Sequence, residues 1–165
     1  MKAFFATSKH NYSLFVLRLV AAGVMLPHGL QKTVGWFGGN GFDGTMGFFT
    51  SIMGIPAALA FLVIMAESLG AIALIAGFCT RLCAFGMAAV LSGAVLIAHA
   101  NNGFFMNWGG NLNGEGYEYH ILYLGILFVL FVWGGGALSL DARIASALTK
   151  AKKPAAAKKV ARKKK

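Results

Sequence analysis

Arg18, His28, Lys32, Glu67, His99, Glu118 and His120 stand in or beside long apolar runs. Ionisable groups at membrane depth are costly to keep, so each is a functional candidate by default. Their types suggest definite chemistry. An imidazole such as His28 or His99 exchanges protons in the neutral range and can serve a ligand oxygen. The Lys32 ammonium can stabilise an anionic oxygen. The Glu67 carboxylate must be protonated or paired if it lies mid-membrane.

The angular positions predict two polar layers. Successive helical residues turn by ~100°, which brings His28 and Lys32 within ~80° of Arg18 on one stripe. Arg18 then lies near one end of the first helix, with His28 and Lys32 near the other. Glu67 shares a face with Ala60, Val63, Gly70, Ala71 and Leu74, and the small residues there permit close helix approach. Arg18 is its expected partner, forming a buried Arg18–Glu67 ion pair. His99 continues the face of Ala88, Ser92 and Val95. Glu118 and His120 are ~200° apart on a helix, so one of them faces inward. The second layer is therefore a polar site of His28, Lys32, His99 and either Glu118 or His120. No His-x3-His spacing accompanies these histidines, so no metal site is assigned.

The elements that must hold these groups follow from hydropathy. Several runs approach or exceed the ~18 apolar residues that suggest a transmembrane helix. Helices are expected at about 12–34, 56–78, 81–100 and 118–137, the last closing its apolar run at Trp133 before Gly134-Gly135-Gly136. Pro56 suits a first helical turn, where its missing N–H is no loss. Arg18 interrupts the first apolar core and no small-x-small site follows it, so this helix is read as retained rather than cleaved. Residues 35–55 and 101–117 are rich in Gly, Asn and aromatics and are read as loops at a membrane face, with a short helical turn near 45–52. The fold class is thus all-α, an integral membrane four-helix bundle over 12–141, after a short polar segment 1–11.

Composition agrees. The 165 residues are 58% hydrophobic and 12% charged, too apolar for an ordinary soluble domain. The net charge of +10 is local. Residues 1–141 balance Lys2, Lys9, Arg18, Lys32 and Arg81 against Asp43, Glu67, Glu115, Glu118 and Asp141. All the excess sits in residues 142–165, read as a basic, disordered tail. Its residues 150–165 are expected to anchor on anionic lipid head groups rather than on nucleic acid. The positions of Lys and Arg put both ends of the chain in the cytoplasm of a bacterial inner (plasma) membrane, with Lys32 as the exception. Cys79 and Cys83 are too few for a disulfide framework and are read as packing thiols.

Over about residues 13–141 the chain resembles the DoxX family of small bacterial inner-membrane proteins. The matching pieces are Leu17-Arg18-Leu19, His28-Gly29-Leu30-Gln31-Lys32, Met53-Gly54-Ile55-Pro56, Glu67-Ser68-Leu69-Gly70, Ala76-Gly77-Phe78-Cys79-Thr80-Arg81, His99-Ala100-Asn101-Asn102-Gly103-Phe104-Phe105, Glu118-Tyr119 and Leu138-Ser139-Leu140-Asp141. His120 and the tail lie outside that pattern. The resemblance implies a four-helix membrane bundle and an association with quinone and sulfur-oxyanion oxidation. The family name comes from a subunit of a thiosulfate:quinone oxidoreductase, and some relatives are linked to oxidative-stress complexes. The expected role is a redox-linked membrane subunit, at most one part of an oxidoreductase complex. Its expected ligand is a quinone, with no covalent cofactor, and oxidoreductase subunits or a second copy of the chain are its expected partners. The alternatives are a membrane scaffold for partner proteins and a small-solute permease.

Overall fold

A computed structural model describes residues 4–150, and among them every regular element is helical. α1 spans Tyr12–Thr33. A 3-10 turn at Trp36–Gly38 leads to α2, Gly41–Gly47, whose end widens into a π-turn at Phe48–Ile52. α3 spans Ala57–Ala76. α4 spans Thr80–Ala94 and continues as a π-turn, Val95–His99, and a 3-10 turn, Ala100–Asn102. α5 spans Glu118–Trp133, and residues 140–150 form a sixth helix, α6.

Three of these helices, Tyr12–Thr33, Ala57–Ala76 and Thr80–Asn102, are long and apolar enough to cross a bilayer. α5 is the fourth member of the bundle and is shorter, at 16 residues. The four pack in a closed ring, α1 on α3, α3 on α4, α4 on α5 and α5 on α1. The core is Ala21, Ala22, Met25, Ala71, Leu74, Ala84, Met87, Leu91, Tyr123, Leu127 and Leu130. Its many alanines let backbones approach where lipid supplies no hydrophobic drive. The outer faces are apolar, with Leu62, Leu69, Leu82, Leu96, Leu122 and Phe128 all exposed. That inversion is what a lipid-facing surface requires.

Gly29 of α1 packs directly on the α3 backbone. A Cβ at Gly29 would stand 2.5 Å from the Glu67 carbonyl oxygen and 2.6 Å from the Ser68 Cα. This contact sets the register of α1 on α3. It also places Glu67 level with His28 and Lys32, eleven residues or ~16 Å along α1 from Arg18. The expected Arg18–Glu67 pair is therefore absent, because the two groups lie at different depths.

Arg18 instead closes the end of the bundle that holds residues 4–11, the α3–α4 turn and α6, here termed the basic end. It is fully buried. Its Nη1 donates to the Leu74 and Ile75 carbonyls at 3.0 and 2.7 Å, and its Nη2 to those of Ala137 and Leu138 at 3.2 and 3.4 Å. A cation is favoured there because the last carbonyls of a helix carry partial negative charge. Gly77 turns the chain with a φ of 65° and has no room for a side chain beside the guanidinium. Asp141 does the complementary work at the start of α4. Its two oxygens accept from the Cys79 and Thr80 N–H groups at 2.8 and 2.9 Å. Burial and the Asp141 carboxylate together push the Cys79 thiol pKa up.

Two further expectations are corrected. α5 stops at Trp133 rather than near 137, because Gly134 and Gly136 take φ of 77° and 70°. Residues 142–150 are helical, not disordered. Ser139 caps α6 by accepting the Ala142 N–H at 3.2 Å, and Asp141 and Ala142 are buried against the bundle. The expected disordered, lipid-anchoring stretch beyond residue 150 lies outside the described residues.

Candidate functional site

The opposite end, here the loop end, gathers the remaining ionisable groups. Lys32 Nζ lies 2.5 Å from Glu67 Oε2, and Glu67 is buried while Lys32 is partly exposed. The pair forms because Gly29 holds the two helices in contact one turn away. With its charge matched, the Glu67 carboxylate needs no partner on another helix.

His28 does not join the buried stripe. It lies on the exposed edge of α1, since the inward face is centred on Arg18, Met25 and Gly29.

His99 and His120 meet across α4 and α5 with ring centroids 4.3 Å apart and planes at 45°. On a continuous α-helix, His99 would lie ~80° away from Leu91. The π-turn at Val95–His99 takes up one extra residue and rotates His99 back by ~100°, onto the face of Met87 and Leu91. His99 Nδ1 lies 2.8 Å from the Glu115 carbonyl, which can only accept. Nδ1 is thus the donor, and in the neutral imidazole this tautomer leaves the lone pair on Nε2.

His120 is 6% exposed, and its Nδ1 has no hydrogen-bond partner. A buried polar atom left unpaired costs free energy, so this one is a place where a ligand atom or water is expected. Tyr119 and Tyr123 continue the layer, with Tyr119 5.4 Å from His120 and 5.8 Å from Tyr123, centroid to centroid. Tyr123 Oη donates to the Ala21 carbonyl at 2.5 Å. These two tyrosines were not anticipated, although polar tips four apart on an apolar helix are a legible signal.

Glu118 faces away from this layer. Its Oε1 accepts from the Met106 N–H at 2.9 Å and the Trp108 indole at 3.4 Å. Glu115, also not anticipated, accepts from the Asn107 N–H at 2.8 Å through Oε2. Its carbonyl takes the Asn102 amide as well as His99. Together the two glutamates fold residues 103–117 into a cap that meets the His99–His120 pair through the Glu115 carbonyl. Of the expected polar site, His99 and His120 meet, Lys32 joins Glu67, His28 stays at the rim and Glu118 holds the cap. No three His, Cys, Asp or Glu side chains among the described residues are placed to hold a metal ion.

The family model described as DoxX matches residues 13–100. An uncharacterized protein of Haemophilus influenzae is 32% identical over 134 residues, covering 80% of this chain and 83% of its own. No solved structure matches. The matched stretch holds Arg18, Gly29, Lys32, Glu67 and His99, but not His120 or the cap that covers it.

Proposed function

The chain belongs to the DoxX family, and from that premise we propose that it is the membrane subunit of a redox complex and takes a quinone head group at its loop end. The observation that carries this reading is the buried, unpartnered Nδ1 of His120 beside the ring of His99. Lys32 is already matched by Glu67, which leaves less free positive charge for a sulfur oxyanion and favours a neutral ligand with carbonyl or hydroxyl oxygens.

A quinone supplies the electron-accepting group. The protein's own groups bind it and manage protons. His120 hydrogen-bonds one ring oxygen, with Tyr119 packed against its ring. The Nε2 lone pair of His99 takes or returns a proton, while Glu115 fixes its tautomer. The cap formed by residues 103–117 excludes water from the head group. Partner subunits supply the other redox centre. The concentration of Lys and Arg puts the basic end in the cytoplasm of a bacterial inner membrane. A cysteine introduced at Ser146 should then react with an impermeant thiol reagent only after permeabilisation; labelling in intact cells would reverse the orientation.

The function is tested in membranes where a variant is the sole copy. His120→Phe should lower quinone-dependent electron transfer about tenfold or more, the size of one lost buried hydrogen bond. His10→Phe, outside the bundle, should leave it unchanged. Normal turnover in His120→Phe at normal accumulation would remove the reading.

A further inference from the structure

The basic end carries a groove of about 440 Å³ between α6 and the segment before α1. Lys9, Arg143 and Lys150 line it together with Ser139, Ser146 and Leu138. On α6, Arg143, Ser146 and Lys150 recur at spacings of three and four, so they share one helix face. Leu140, Ile144 and Leu148 share the neighbouring face at spacings of four. α6 is therefore amphipathic and lies where the bundle leaves the bilayer. No acid lines the groove, and Asp141 is turned onto the Cys79 and Thr80 N–H groups. Among the described residues none of the three cations has a carboxylate partner.

We propose that this groove binds the phosphate of an anionic phospholipid from the adjoining leaflet. Three cations without carboxylate partners suit a phosphodiester, which offers only acceptors, whereas the Ser139 and Ser146 hydroxyls already donate to the Gly136 and Ala142 carbonyls. The lipid is favoured over a soluble anion by the apolar surroundings. Leu138, in the groove itself, is 63% exposed, and Trp133, at the end of α5, is 54% exposed. Both are exposed apolar side chains at the basic end, and aromatic residues gather at a membrane interface. The site is separate from the loop-end layer and does not depend on the quinone reading.

The experiment is native mass spectrometry of the purified full chain, offered equal phosphatidylglycerol and phosphatidylethanolamine. One phosphatidylglycerol should be retained in clear preference, and excess inorganic phosphate should not displace it. In the Lys9→Gln, Arg143→Gln, Lys150→Gln variant, which keeps every cation beyond residue 150, retention should weaken about fivefold per cation removed. Equal retention of the two lipids, displacement by inorganic phosphate, or undiminished retention in the variant would each overturn the proposal. If the variant fails to fold, the wild-type comparisons can still overturn the proposal, through equal retention of the two lipids or displacement by inorganic phosphate.

Discussion

At the scale of single residues, the cost of charge in a membrane singled out the ionisable groups, but their partners depended on register. Arg18 and Glu67 were the obvious pair by sign alone. One glycine decides otherwise, because Gly29 against the Glu67 and Ser68 backbone slides Glu67 up to Lys32. The two terminal nitrogens of Arg18 then donate to four carbonyls and to no carboxylate. The choice between Glu118 and His120 was similarly open from their ~200° separation. Burial gives the inward position to His120, the residue outside the family pattern. A test belongs at Gly29. Gly29→Ala should cost about 1–3 kcal/mol, because the contact is backbone on backbone and cannot relax by a rotamer change. Thermal unfolding in detergent should show a lower midpoint, and an unchanged midpoint would mean that the register is set elsewhere.

At the scale of elements, the apolar runs marked the four bundle helices, and their ends were less legible. The structure closes the ends with groups from distant parts of the chain. Asp141 lies 61 residues from the Thr80 N–H it accepts, and Arg81 reaches the Ala6 carbonyl 75 residues away. Such caps leave no local signature such as a Ser or Asp just before the helix. The π-turn that aims His99 was equally hidden, since Val95-Leu96-Ile97-Ala98-His99 reads as ordinary apolar helix. The α6 helix was masked by the basic composition around it, although Ser139 before Leu140 is a usable cap signal. The remote cap gives a clear expectation. Asp141→Ala should cost about 0.5–2 kcal/mol, the usual range for a lost cap. Hydrogen exchange at the Cys79 and Thr80 amides should speed up, while the amides of α1 stay protected. Unchanged exchange at both amides would show that the turn does not rely on Asp141.

At the scale of the whole molecule, the bundle divides its labour between two ends. At the basic end Arg18, Arg81 and Asp141 tie three helix ends to residues 4–11, with Arg18 Nε, Arg81 Nε and Thr80 Oγ1 left without partners. The loop end keeps an unsatisfied group, His120 Nδ1, beneath a cap organised by Glu115 and Glu118. The most direct measurement is the nitrogen NMR spectrum of histidine-labelled protein in lipid nanodiscs, with and without a short-chain quinone. The account predicts that the His120 Nδ1 resonance shifts on quinone addition while that of His10 does not. A His120 signal unmoved by saturating quinone would contradict the account and leave the loop-end layer as interhelical packing.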